Sequence, residues 1–206
     1  RDLEQFAYAA SHDLQEPLRM ITSWTSALFE DHGDKLMEPE AQQMKHFIID
    51  GVNRMRTLIR DLLSFSQAGR GIQTTMVSPR MAISSAVRNL AGALNESGGR
   101  IVIEDIPNEV FADGAMLAQV FQNLLSNSLK FRRKGVTPVV TITAEVRDSE
   151  IRFSVIDNGL GIAQHHLPRV FEVFTRLYST AEYEGTGIGL ALVRRIVHAH
   201  GGDIGI

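Results

Sequence analysis

Apolar residues recur at steps of three and four through the first third of the chain. Leu3, Phe6, Ala10, Leu14, Pro17/Leu18, Ile21, Trp24 and Leu28 make one stripe. Met44, Ile48, Val52, Met55, Leu58/Ile59, Leu62 and Phe65 make another. At 100° per residue each stripe is one face of a long helix. Asp31-His32-Gly33-Asp34-Lys35 between them carries turn chemistry, and Pro39 suits a first helical turn. The pattern predicts an antiparallel helical hairpin. One hairpin offers too little partner surface to bury both stripes. The expected solution is a second copy, giving a homodimer built on a four-helix bundle.

Ala68-Gly69-Arg70-Gly71 breaks the periodicity and reads as a linker, so the expected domains are 1–70 and 71–206. In the second, Val87, Leu90, Ala91 and Leu94 predict a helix after Pro79. Ile101-Val102-Ile103 and Val110-Phe111 predict short strands, and Leu117 through Leu129 a helix. Val139 to Val146 and Ile151 to Ile156 read as two strands joined by a turn at Arg147-Asp148-Ser149-Glu150. Residues 157–187 are irregular with glycines at both ends, and a last helix runs from Gly189 to about His200. Strands and helices mixed without strict alternation predict an α+β class.

Composition narrows the function. The 206 residues are 44% hydrophobic, which suits folded domains rather than a disordered chain. Lys+Arg total 21 against Asp+Glu 24, so there is no basic surplus and no nucleic-acid partner is expected. The absence of Cys removes disulfides, thiol catalysis and thiolate metal sites, and suits a reducing, cytoplasmic setting. No apolar run approaches the roughly 20 residues that span a bilayer, so no membrane contact is expected within this stretch. The first residue is Arg1 and the last, Ile206, follows a turn-like Gly201-Gly202. The stretch therefore reads as an excised piece lacking the last strands of its sheet.

Candidate chemistry lies in both halves. His12 points away from the stripe that holds Ala10 and Leu14, and shares its outward face with Glu16 and Arg19. Pro17 one turn on removes a helical hydrogen bond at a cost of roughly 3 kcal/mol, which suggests a kink. Asp13 can take the Nδ1 proton of His12 and leave Nε2 as a nucleophile. A solvated surface histidine is the bland alternative.

In the second half, Asn123, Asn127, Lys130 and Lys134 form one polar stripe if the helix runs that far. An amide oxygen suits Mg²⁺, and Lys130 suits phosphate, although a solvated helix edge has the same pattern. Asp157-Asn158-Gly159-Leu160-Gly161-Ile162 follows a strand, where a carboxylate can accept from an exocyclic amine and glycines admit a flat ring. Asn-Gly is equally a turn signal. Gly185-Thr186-Gly187-Ile188-Gly189-Leu190 opens a helix, a place that favours phosphate, or simply a flexible entry. Between them, residues 163–184 form a long loop of the kind used as lids. Within it Phe171-Glu172-Val173-Phe174 can pack as an anchor, and Arg176 can reach a phosphate. His165-His166, His198 and His200 carry no metal-ligand pattern.

In this order the motifs resemble the transmitter core of sensor histidine kinases. Ser11-His12-Asp13-Leu14-Gln15-Glu16-Pro17-Leu18-Arg19 is similar to the phosphoacceptor box of phytochrome-type members. Gln119 to Phe131 resembles the asparagine box, Asp157–Ile162 and Gly185–Leu190 the two glycine boxes, and Phe171–Phe174 the phenylalanine box. The resemblance implies a dimerisation domain followed by an α/β sandwich that binds ATP, of the gyrase, chaperone and histidine-kinase type. It implies that His12 is phosphorylated, with Asp13 as general base, and that Asn127, helped by Asn123, holds Mg²⁺. Lys130 and Arg176 would meet phosphates and Asp157 would read adenine. Gly159, Gly161, Gly185, Thr186, Gly187, Gly189 and Leu190 would shape the pocket. It further implies an upstream sensor domain and transfer to an aspartate of a response regulator. Relatives often carry Thr or Asn where this chain has Glu16, so phosphatase action on the regulator is not implied. An ATPase of the same fold that uses water, or a non-catalytic dimeric scaffold, would share part of this pattern.

Overall fold

The computed structural model describes residues 2–32, 38–148, 150–178, 183 and 185–206, with the side chains of the first helix described from Leu14 to Glu30. The chain divides into two compact units, Arg1–Gln67 and Ala68–Ile206.

The first unit is a pair of packed helices, α1 (Asp2–Asp31) and α2 (Pro39–Gln67). Leu18 of α1 is buried against Val52 and Ile59 of α2, with Leu63 beside them. Lys45 lies over the Phe29 ring at 4.9 Å, which joins the end of α1 to the start of α2, as an antiparallel hairpin requires. Helix α1 runs on through Pro17. The turn expected at 31–35 falls mostly outside the described residues.

The second unit is built on a three-stranded sheet in the order β2 (Arg100–Ile103), β4 (Val139–Arg147), β5 (Glu150–Asp157). Strand β2 runs parallel to β4, and β4 antiparallel to β5 with Arg147 opposite Glu150. Helices α3 (Pro79–Asn89) and α5 (Gly114–Lys130) cover one face of it. Ala82, Ile83 and Ala86 of α3, Phe121 and Leu125 of α5, and Val140 and Ile142 of β4 make the core. Phe121 meets Phe153 edge to face at 5.5 Å, a favoured aromatic geometry. Helix α6 (Gly189–Ala199) packs on α5 and buries Ala191, Leu192, Val193 and Ile196. A helix-bearing layer over a mixed sheet is the α+β class that the element order predicted and the α/β sandwich that the resemblance implied.

Three details differ from expectation. A strand β1 (Thr75–Val77) pairs antiparallel with β3 (Val110–Ala112) in a separate two-stranded sheet. The helix expected through Leu94 breaks at Leu90 (φ −102°, ψ 10°), leaving a short α4 (Ala91–Ser97) that Gly98 ends in the left-handed region. The long loop holds a 3₁₀ helix, Gln164–Arg169.

Candidate active site

Helix α5 is fixed in rotation by its buried face, Phe121, Leu125 and Leu129, which leaves Asn123, Asn127 and Lys130 half-buried along one edge. The helix ends at Lys130. Phe131 N still donates to the Asn127 carbonyl at 2.9 Å, but the Phe131 carbonyl turns to accept from Leu160 N at 3.0 Å. That diversion ends the helical ladder, so Lys134 lies beyond it, exposed, and is not part of the polar stripe.

Asp157 ends β5 beside this helix. Its Oδ1 accepts from Gly159 N at 2.8 Å, and its Oδ2 lies 3.0 Å from the Ser128 hydroxyl. That hydroxyl also lies 3.1 Å from the Leu124 carbonyl, so its one proton is shared between two acceptors. Asn158 folds back on the sheet, accepting from Val139 N and donating to the Thr137 carbonyl, each at 3.0 Å. Arg133 Nε donates to the Gly159 carbonyl at 2.8 Å. A β-carbon on Gly159 would lie 2.7 Å from the Phe131 carbonyl oxygen. The Asp-Asn-Gly turn is thus stapled to both the end of α5 and the start of β4. Gly161 faces open space.

The second glycine run lies along the same edge of α5. A β-carbon at Gly185 would stand 2.7 Å from Lys130 Nζ, and one at Gly189 2.9 Å from Asn123 Oδ1. Gly185 (φ +146°) and Gly187 (φ +73°) adopt backbone that side-chain-bearing residues rarely take. Thr186 Oγ1 accepts from Ile188 N at 3.3 Å, Ile188 is fully buried, and Leu190 is half-buried in the first turn of α6.

The phenylalanine stretch anchors differently from expectation. The Phe174 ring is 60% exposed, and its main chain makes the contact, with Phe174 N donating to the Gly187 carbonyl at 3.0 Å. Val170, just before the stretch, is the buried side chain there. Arg176 is exposed and donates through Nη2 to the Tyr183 carbonyl at 2.8 Å. Glu16 is exposed with Arg19 Nη2 3.8 Å away. His12 and Asp13 lie in α1, but their side chains are outside the described residues.

Two features escaped the sequence reading. Ser128 holds Asp157, and its signal was a lone hydroxyl among Leu124, Leu125 and Leu129, since a buried hydroxyl needs a partner. Phe131 forms an aromatic cluster with Tyr178 and Tyr183, with ring centroids 5.2–5.6 Å apart, and Lys130 Nζ lies 4.4 Å from the Phe131 centroid.

The arrangement has the chemistry of a nucleotide pocket. A pinned carboxylate keeps lone pairs free for an amine, glycine backbone admits a ring and phosphates, and an ammonium and amides line the edge between them. A family model described as histidine kinase-, DNA gyrase B-, and HSP90-like ATPase matches residues 112–206. A second, the His Kinase A (phospho-acceptor) domain, matches residues 2–71. The chain belongs to the histidine kinases. It is the core of a two-component sensor kinase, and its second unit is of the ATP-using type. The kinase is 38% identical to cyanobacterial phytochrome A of Nostoc sp. over 98% of its length, but spans only 26% of that relative. A crystal structure of full-length ShkA in complex with AMPPNP matches 98% of the chain and 42% of the other, with a TM-score of 0.72 at 26% identity. ThkA, solved in complex with the response regulator protein TrrA, shares the fold with a TM-score of 0.62 at 19% identity, over 96% of this chain and 55% of that one. Among the described residues no helix is long and apolar enough to cross a membrane.

Proposed function

We propose that this kinase core moves the γ-phosphoryl group of ATP to Nε2 of His12, then passes it to an aspartate of a response regulator. One observation carries the nucleotide half of this reading. The Gly185–Gly189 run closes on Lys130 and Asn123 while Asp157 is pinned to Ser128, the neighbour of Asn127. Residues 1–70 serve as the dimerisation and phosphotransfer domain, and 71–206 as the ATP-binding domain. The sensory segments lie in the parent protein, which works in the cytoplasm.

Asp157 accepts from the adenine amine, and the glycines at 159 and 161 let the ring lie against backbone. Lys130 and Arg176 neutralise phosphate charge, as do the N–H groups that open α6, helped by its dipole. Thr186 and Leu190 shape the floor of that cradle. The residues fit a divalent cation: Asn127, with Asn123 beside it, offers a neutral amide oxygen where the nucleotide's own phosphates supply most ligands. Bound there, Mg²⁺ would spread the charge that builds on the leaving oxygen. In the transfer, a bond forms between Nε2 and the γ-phosphorus as the bond to the β,γ-bridging oxygen breaks, and ADP leaves. Asp13 holds Nδ1–H and, as general base, takes that proton as positive charge develops on the imidazole. In-line placement supplies most of the rate, so His12 must be brought to the nucleotide.

The test is incubation with Mg²⁺ and γ-radiolabelled ATP, comparing the native chain with His12→Gln. Acid-labile, base-stable label that disappears in the variant is the expected result. Label retained in the variant, or ATP hydrolysed with none on the protein, would sink the reading.

A further inference from the structure

Sequence alone placed His200 at a helix end with nothing to do. In the structure both of its ring nitrogens are committed. Nδ1 faces the Ile196 carbonyl at 2.9 Å, and Nε2 accepts from the main-chain N–H of Asp113 at 3.0 Å. A carbonyl can only accept and an N–H can only donate, so the ring is held as the Nδ1–H tautomer. The two elements it joins are the end of α6 and the residue that starts α5.

The segment leading out of the helical hairpin is tied to the same place. Arg195 Nε on α6 donates to the Ala68 carbonyl at 3.0 Å. Gly69 sits so close to α6 that a β-carbon there would lie 2.8 Å from Ala199 Cβ. Gln73 N donates to Asp113 Oδ2 at 3.2 Å. The other oxygen of Asp113 caps α5 through Ala115 N and Met116 N, both at 3.1 Å. Ala68–Gly71 were expected to be a linker, yet Ala68 and Gly69 lie against α6, and Gln73 just beyond is tied to the residue that caps α5.

We propose that His200 and Arg195 are positioning residues that bind residues 68–73, the start of α5 and the end of α6 into one joint. Through it, the state of Asn123, Asn127 and Gly189 is coupled to the segment that leads to the phosphoacceptor helices. This rests on the kinase reading above. Neither residue is among those assigned to the nucleotide. Coupling is reciprocal, so a nucleotide that orders α5 and α6 must also steady the segment.

The experiment uses the whole chain with Mg²⁺ and AMPPNP as the probe, and reads hydrogen exchange at the amides of Gln73 and Asp113. In the native chain the nucleotide is expected to slow exchange there by about threefold or more. His200→Phe and Arg195→Ala should lose that response while AMPPNP affinity falls by no more than the same factor. His200→Gln should restore it, because an amide can donate and accept at once. The proposal is overturned if AMPPNP leaves these amides unchanged in the native chain, or if every variant responds like it. It is also overturned if affinity falls well beyond the factor of the exchange response, since reciprocity limits the loss to that factor and a larger one marks a residue of the pocket. Arg195→Ala keeps the test decisive if His200→Phe does not fold. The readout needs nucleotide binding but no transfer, so failure to label His12 counts against the kinase reading alone.

Discussion

At Gly187 an added methyl group would lie 2.8 Å from the main chain of Phe174 and Thr175, whereas at Gly161 it would meet nothing within 4 Å. Both residues have φ of +73°. Alanine at either therefore incurs the left-handed strain of roughly 1–2 kcal/mol. Only at Gly187 does it also push on backbone that cannot yield. Gly187→Ala is expected to lower the melting temperature clearly more than Gly161→Ala. Gly161→Ala should mainly weaken ATP binding, because its open side is where a ring would lie. Thermal melts and ATP titrations of the two variants check this, and equal losses of stability would contradict it. The same contrast explains what sequence could tell. Asp157, Asn123, Lys130 and the glycines stood out as candidates because their order is distinctive, and they lie along one edge of α5. Ser128 did not, because its position on the helical wheel placed it with the leucines. Only the sheet behind it shows that the hydroxyl meets a carboxylate.

For helix α5 the periodicity located the middle and the far end, to within one residue, but missed the start. The apolar repeat begins at Leu117, but the helix starts at Gly114, because Asp113 takes the first free N–H groups. Its far end is set by Leu160, 47 sequence positions from the Asp113 cap and invisible to any local pattern. Strand β1 was missed because three residues cannot display a period of two. The cap has a measurable consequence. Replacing an Asp cap with Ala costs on the order of 1 kcal/mol. The Asp113 carboxyl is held below the ordinary carboxylate range, foremost by the Met116 N–H. Burial opposes this, while the N–H groups of Gln73 and Ala115 assist. A depressed folded value means the contribution is complete above the unfolded carboxylate range, about pH 4, and is lost as pH falls through the folded value. Asp113→Ala should thus melt lower than the native chain near neutrality, and the gap should narrow in acid. A gap that stays constant down to about pH 2 would refute this account.

Taken as a single chain, the helical hairpin is incomplete. Leu18, Val52 and Ile59 are buried, yet Leu14, Ile21, Trp24 and Leu28 on α1 and Met44, Phe47, Ile48, Met55 and Leu58 on α2 stand 38–70% exposed. Most of these are positions of the two stripes that the sequence could not satisfy with one hairpin. Each large side chain taken out of water contributes roughly 1.5–3 kcal/mol, and an apolar face this long on a lone molecule invites association. A second copy fits because it presents the same stripe, and two-fold packing lets each hairpin bury the other's surplus. The core is therefore expected to sediment at twice the chain mass. Trp24, 70% exposed, is the sharpest probe. Trp24→Glu would place a charge within the shared seam and should shift the mass toward one chain, with ATP affinity unchanged because the nucleotide residues belong to the other unit. His12 labelling in that variant then reports on the route of transfer: a loss matching the loss of dimer means the phosphoryl group crosses between copies. A native chain that stays monomeric at about 10 µM would remove the dimer from the proposal and leave the exposed stripe to a different partner.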